Sequence, residues 1–333
     1  TIRDARYPSF DRIFATLHAA AVSTPSTIIN SMDSRLKPAL NAPLPLGPPQ
    51  HADGANAAAN GAPVARASTC HYDYQPEEEF HRQGLNNPLS HWRVTRLNER
   101  FGLCATYPRL LVVPRSISDD ALRRAAIFRS GRRLPVLCWK DAFGVASISR
   151  CSQPLVGVAN KRSPDDEALL RAIADTNPFG ETLHIIDCRP KLNADMNQVK
   201  GKGYEHPSNY TSTRVTFMNI ENIHVMQKSL RVFIKALRDQ VVSSCTGAES
   251  SVTELEKTGW LEHLRMVLRA ARHTARLIHV ERSSVLVHCS DGWDRTPQVG
   301  CRTAASVSAR TRSYGGAACQ HRPLCRAYNT RTL

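Results

Sequence analysis

Ser284-Val285-Leu286-Val287-His288-Cys289-Ser290-Asp291-Gly292-Trp293-Asp294-Arg295-Thr296 is the stretch on which the reading of this chain turns. Its apolar, β-branched opening predicts a short buried strand that runs straight into His288 and Cys289. Cysteine, five intervening residues and arginine after such a strand describe a loop that wraps a tetrahedral oxyanion. Backbone N–H groups point inward, and the helix that should follow aims its positive end at the same place. That field lowers the thiol pKa of Cys289, and the thiolate is the nucleophile. Arg295 returns on the far side, where its planar fork holds two phosphoryl oxygens. Gly292 supplies a positive φ or a close approach of backbone to ligand.

Thiolate attack on phosphorus leaves an alkoxide that needs a proton, and the phosphocysteine then needs an activated water. Asp291 and Asp294 lie inside the loop and are the candidates for both tasks. Bound phosphate raises a neighbouring carboxyl pKa while Arg295 opposes the rise, so the residues leave the choice between the two open. Cys-x5-Arg alone is a weak motif, for which a buried structural thiol and a surface cation are the bland reading. The strand before it and the aspartates within it add the weight. Trp293 reads as core packing at least as well as substrate contact, and His288 as a core or supporting histidine.

Working outward, Ser118-Asp119-Asp120 predicts a capped helix carrying Leu122, Ala126 and Ile127. Leu134 to Trp139 and Val145 to Ser149 predict a hairpin about the turn 141–144, and Thr182 to Asp187 a short apolar strand. Met226, Leu230, Phe233, Ile234 and Leu237 recur with helical spacing, as do Leu261, Leu264, Leu268, Ala271 and Ala275. Both stripes are expected to face the core. Strands alternating with long helices predict an α/β domain.

The chain has 333 residues and a formal charge of +15, with 41% hydrophobic and 22% charged residues, which excludes collagen, coiled-coil and wholly disordered classes. No apolar run approaches the ~18–20 residues of a membrane span, and no signal-like segment opens the chain, so a spanning or secreted protein is not expected. The ten cysteines form no C-x-x-C pair, and reduced thiols in a cytosolic compartment are the default. Residues 1–70 carry six basic and four acidic side chains, a net +2, and residues 299–333 six arginines and no acid, a net +6, which leaves +7 for the 228 residues between. Residues 38–67 are ten Ala, six Pro and three Gly in thirty positions, the composition of a flexible linker. All four tryptophans lie between residues 92 and 293, so the packed domain is expected there.

The loop His288 to Thr296 resembles that of the myotubularin family of phosphoinositide 3-phosphatases. Further runs follow in family order. Glu79-Phe80-His81-Arg82-Gln83-Gly84-Leu85, Leu103-Cys104-Ala105-Thr106-Tyr107-Pro108 and Phe128-Arg129-Ser130 come first. Arg150-Cys151-Ser152-Gln153-Pro154-Leu155-Val156-Gly157, Gly203-Tyr204-Glu205, Asn222-Ile223-His224-Val225-Met226 and Trp260-Leu261-Glu262-His263 come after. The match covers roughly residues 77–298. It implies a cysteine-dependent phosphatase fold, a mostly parallel central sheet flanked by helices. It also implies removal of the 3-phosphate from phosphatidylinositol 3-phosphate and 3,5-bisphosphate, with no metal or other cofactor. Cys289 would be the nucleophile, Arg295 the phosphate clamp and Asp294 the favoured acid. Ser290, Asp291, Gly292, Trp293, Asn197, Asn222 and Ile223 would form the substrate-binding set, although cap or turn chemistry competes for Asn197 and Asn222. The implied setting is cytoplasmic and peripheral to endosomal membranes, with a homo- or hetero-oligomer of myotubularin-like chains and no nucleic acid. A non-catalytic scaffold is the alternative, and a protein-tyrosine phosphatase is disfavoured by the loop aspartates and the upstream motifs.

The expected organisation is a remnant of a pleckstrin-like GRAM domain in 1–35, a linker in 36–70, an incomplete phosphatase domain in 71–298 and a disordered Arg-rich tail in 299–333. A start at Thr1 rather than Met suggests a fragment, a processed product or an imperfect gene model. The family continues beyond the loop with a long apolar helix, whereas Val299 onward shows no apolar stripe. A change of reading frame or splice boundary near residue 299 is therefore expected. Without an anchored helix behind it, the loop is expected to hold its N–H groups poorly and the chain to be unstable or poorly active.

Overall fold

A computed structural model describes residues 76–85, 87–140, 145–180, 182–245 and 252–312. The expected N-terminal remnant and linker, the turn 141–144 and residues 313–333 lie outside the described residues. Those that are described divide into two units. One, residues 76–229 with 260–312, holds every described strand; the other has the described residues 230–245 and 252–259, which are mostly helical.

The larger unit begins with helix α1 (Pro76–Arg82) and a small antiparallel pair, β1 (Trp92–Thr95) with β2 (Leu111–Pro114). Helix α2 (Asp119–Ile127) follows, and the Ser118 hydroxyl accepts from the Ala121 amide at 3.3 Å, the cap expected there. Leu122, Ala125 and Ala126 are its buried residues, while Ile127 faces solvent. The hairpin appears as β3 (Val136–Lys140) antiparallel to β4 (Ser147–Ser152), with the register shifting across Cys138. Helix α3 (Pro164–Asp175), strand β5 (Leu183–Asp187), helix α4 (Lys191–Val199), strand β6 (Thr213–Phe217) and helix α5 (Ile223–Cys245) come next. After α6 (Val252–Lys257), the chain returns to this unit through α7 (Trp260–His279), β7 (Val285–Cys289) and α8 (Arg295–Arg312). None of the described helices is long and apolar enough to cross a membrane.

The main sheet has the order β3-β4-β7-β5-β6, antiparallel only at the β3 edge. β7 is central and all five of its residues are buried, as a parallel strand covered on both faces requires. Alternate residues serve the two faces. Val285, Val287 and Cys289 join Ile148, Ile186 and residues of α7 and α8. Leu286 joins Ile185, Cys151, Leu122 and Leu169 on the other face. The predicted loop therefore emerges at the carboxyl end of the central strand, where open parallel sheets present ligand sites.

Two expectations are corrected here. Residues 299–312 are not a disordered tail: α8 runs from Arg295 to Arg312, with Val299, Thr303 and Ala304 buried. The Thr303 hydroxyl bonds the carbonyls of Val299 at 2.8 Å and Ala271 at 3.3 Å. The loop thus has an anchored helix behind it, and the physical ground for expecting a poorly held loop is gone. The second correction concerns the α7 stripe, of which Ala271 is buried but Leu261 and Leu268 are exposed; Val267, Ala270, Thr274, Leu277 and Ile278 are the other buried residues of the helix. Small side chains on facing turns let α7 and α8 approach closely, so the contact is made by Ala and Thr rather than by the leucine stripe.

Candidate active site

β7 ends at Cys289 and α8 begins at Arg295, so the loop closes between a strand end and a helix start. Gly292 has φ +75°, and its amide donates to the Cys289 sulfur at 3.3 Å. A Cβ at this position would collide with the Cys151 carbonyl, so the tight turn and the close approach both demand glycine. The rest of the loop is tied to β4 and the residue after it: Arg150 Nη2 donates to the Gly292 carbonyl at 2.9 Å, and the Gln153 amide to the Ser290 carbonyl at 3.1 Å.

Cys289 is buried, and burial pushes its thiol pKa up. The Thr296 hydroxyl and amide beside the sulfur, the bond from the Gly292 amide and the positive charge of Arg295 outweigh this and leave it lowered. Arg295 spends its Nε on the carbonyls of Ile220 (2.9 Å) and Glu221 (3.0 Å). Its two terminal nitrogens make no hydrogen bond or ion pair to protein among the described residues, which leaves the paired edge of the guanidinium for an oxyanion.

The two aspartates differ. Asp291 accepts a hydrogen bond from the Ser130 hydroxyl at 3.0 Å. Asp294 has no such side-chain partner among the described residues. Burial raises its pKa, Asp291 adds to the rise, and Arg295, His224 and Arg133 oppose it without reversing it. Trp293 is exposed rather than in the core, with the Arg133 guanidinium 4.2 Å from its ring centre, a cation–π contact at the loop rim. Asn197 of α4 reaches the loop and donates to the Ser290 hydroxyl at 3.3 Å. Asn222 does not: its side chain accepts from the amides of His224 (3.0 Å) and Val225 (3.1 Å), capping α5. Ile223 is exposed on the first turn of that helix. Both still adjoin the loop through Glu221, whose carbonyl holds Arg295.

Behind the loop lies a buried ionic lattice that sequence reasoning did not assign. Arg129 forks onto Asp166 at 2.7 and 2.6 Å and reaches Glu205 at 2.5 Å. Tyr210 donates to Asp166 at 2.8 Å, so that carboxylate accepts three hydrogen bonds. Arg189 chelates Asp187 and donates to Gln153, the residue whose amide holds Ser290. His288 Nε2 stands 3.2 Å from Glu205 and 3.9 Å from Asp187, while Nδ1 lies 3.2 Å from the Cys289 carbonyl. Burial pushes the His288 pKa down, but the two carboxylates more than reverse this. With both ring nitrogens facing acceptors, the imidazolium is the form that fits, and it balances three anions with three cations. Arg129, Gln153 and Glu205 stood inside the family-like runs, which was the available signal. Asp166, Asp187 and Arg189 carried none.

Among the described residues no group of His, Cys, Asp or Glu is arranged to hold a metal ion. A loop between the central parallel strand and a helix, with a thiol at its start and an arginine at its end, is the arrangement of a phosphatase-like domain. The sequence profile of the myotubularin-like phosphatase domain matches residues 58–316, and the chain belongs to that family. It is 50% identical over 226 residues to myotubularin of Rattus norvegicus, covering 68% of this chain and 36% of the rat protein. It is 45% identical over 235 residues to the phosphatidylinositol-3,5-bisphosphate 3-phosphatase MTMR2 of Mus musculus, covering 68% and 34%. With myotubularin of Xenopus laevis it shares 46% over 226 residues, covering 68% and 36%. The chain spans about a third of the length of the curated relatives it matches. The family match continues past residue 299 to residue 316, which gives no support to a change of reading frame at that point.

Proposed function

We propose that this chain removes the 3-phosphate from phosphatidylinositol 3-phosphate and phosphatidylinositol 3,5-bisphosphate through a phosphocysteine. The observation that carries the proposal is the pairing, across one loop, of a buried thiol of lowered pKa with an arginine whose terminal nitrogens face no partner among the described residues. In the first step the Cys289 sulfur bonds to phosphorus and the bond from phosphorus to the inositol oxygen breaks. The departing electron pair takes its proton from Asp294, and the product is the 3-hydroxyl. In the second step the Asp294 carboxylate takes a proton from water, whose oxygen attacks phosphorus. The sulfur–phosphorus bond breaks, releasing phosphate and restoring the thiolate. Arg295 and the loop amides hold the equatorial oxygens throughout.

Three features support Asp294 as the acid: its raised pKa, its position one residue before the clamp, and its lack of another side-chain partner among the described residues. Asp291, held by Ser130, serves the head group, with Ser290, Gly292, Trp293, Asn197 and Ile223 around it, while Asn222 acts through the cap that sets the start of α5. The same proposal places the chain on the cytosolic face of endosomal membranes and in an oligomer with a myotubularin-like chain. Fluorescent tagging and light scattering test those two parts. The chemistry is tested by phosphate release from a phosphoinositide panel with a phosphotyrosine peptide alongside. Release from 3-phosphorylated lipids alone is expected, falling at least about a thousandfold in Cys289→Ser. Equal release from the peptide would favour the tyrosine phosphatase reading.

A further inference from the structure

Helix α4 carries an apolar stripe on its solvent side. Leu192, Met196 and Val199, spaced i, i+4 and i+7, are 69%, 55% and 75% exposed, and helical geometry puts them within an arc of about 60°. Ala194 is the residue this helix buries, so the stripe has been left outside rather than packed. The turn after α4 abuts the turn at Gly157: the Gly157 amide donates to the Lys202 carbonyl at 3.0 Å, and Gln198 Nε2 reaches the Gly157 carbonyl at 3.4 Å. This brings Val158, itself 74% exposed, to the carboxyl end of α4.

Three lysines border these residues, Lys161, Lys200 and Lys202, and none forms an ion pair among the described residues. The neighbouring cations are spoken for, Arg162 by Glu167 at 2.7 Å and Lys191 by Asp195 at 2.8 Å. Aliphatic side chains in solvent beside unpaired ammonium groups fit one environment well: an anionic bilayer surface, where the former enter the acyl boundary and the latter meet lipid phosphates. A protein partner would be matched to shape and would gain little from unpaired lysines at the edge. The patch is also continuous with the catalytic loop, because Asn197 of the same helix bonds Ser290.

We infer that α4 and the Gly157 turn form an interfacial anchor that seats this domain on anionic membranes beside its catalytic loop. The inference rests on the lipid reading of the site only for its purpose, since membrane binding is measurable without turnover. The experiment is co-sedimentation of the whole chain with vesicles of phosphatidylcholine and about 20% phosphatidylserine, free of phosphoinositide. Leu192→Ser/Met196→Ser/Val199→Ser is compared with wild type, and Lys161→Gln/Lys202→Gln serves as a second variant. The serine variant should bind at least about tenfold more weakly while turning over a water-soluble short-chain phosphatidylinositol 3-phosphate within about twofold of wild type. The lysine variant should lose binding to phosphatidylserine vesicles and show little difference on neutral ones. Undiminished vesicle binding by the serine variant overturns the anchor, as does self-association or capture of a purified protein partner that depends on these residues while vesicle binding does not. Turnover of no phosphoinositide, with vesicle binding lost as expected, would sink the proposed chemistry and leave the anchor standing.

Discussion

Asp291 and Asp294 carry the same charge in the same loop, yet their surroundings separate them. Ser130 donates to Asp291 and holds its carboxylate in place, whereas Asp294 is half-buried, and burial and the charge of Asp291 raise its pKa. The thiolate fraction of Cys289 grows as pH rises, and the protonated fraction of Asp294 shrinks, so turnover should fall on the alkaline side. Asp294→Asn should cut kcat by about 10²–10⁴ and abolish that alkaline fall. Asp291→Asn should act mainly through KM and keep the pH profile. Initial rates between pH 5 and 9 decide it; an alkaline fall retained in Asp294→Asn would remove it as the acid. At this scale the spacing of Cys289, Gly292 and Arg295 was legible because the loop tolerates few residue types there. Asn222 was not legible, since a cap and a ligand contact make the same demand on an asparagine, and the structure shows it capping α5.

Among the elements, the contact between α7 and α8 shows what a hydrophobic pattern leaves out. The apolar spacing in α7 identified a helix correctly and its buried face only in part: Ala271 and Ala275 face the core, but Leu261 and Leu268 do not, because the packing was decided by size. Ala270, Ala271 and Thr274 are buried, and the Ala271 carbonyl accepts from Thr303 of α8 at 3.3 Å. The same blindness hid α8, whose Val299, Thr303 and Ala304 make no conspicuous stripe. Ala271→Leu should therefore destabilise the domain by about 1–3 kcal/mol through overpacking, and Leu268→Ala should stay within about 0.5 kcal/mol. Urea unfolding followed by tryptophan emission checks both, and a neutral Ala271→Leu would mean that the two helices are not closely packed. The charge arithmetic changes with α8 as well. Arg302, Arg310 and Arg312 lie within this helix, so half of the six arginines of residues 299–333 fall on a helical segment rather than in a tail.

For the molecule as a whole, the ionic lattice joins β5, β7, α3 and the connections between them behind the loop, and its assembly could not be read from residues scattered between 129 and 288. Because it is buried, removing one partner strands the others: Glu205→Gln should cost about 3–5 kcal/mol, far more than any exposed pair. Its pH dependence follows from the two shifted groups. Burial pushes the Glu205 pKa up, yet His288 and Arg129 bring it well below the usual carboxylate range. Its contribution is thus present above its unfolded pKa and lost as pH falls through the folded one. The His288 pKa is raised in the folded chain by Glu205 and Asp187, against burial and Arg189. That contribution is complete below the unfolded value of about 6.5 and disappears as pH rises through the folded value. The lattice should be strongest in mildly acidic solution and weaken toward pH 8. Denaturation midpoints measured between pH 6 and 8 should decline for wild type, while His288→Gln should be less stable throughout and lose that share of the decline. A variant whose midpoint follows wild type in parallel over this range would show that His288 is neutral in the fold, leaving the carboxylates of Asp166, Asp187 and Glu205 to be balanced by Arg129 and Arg189 alone.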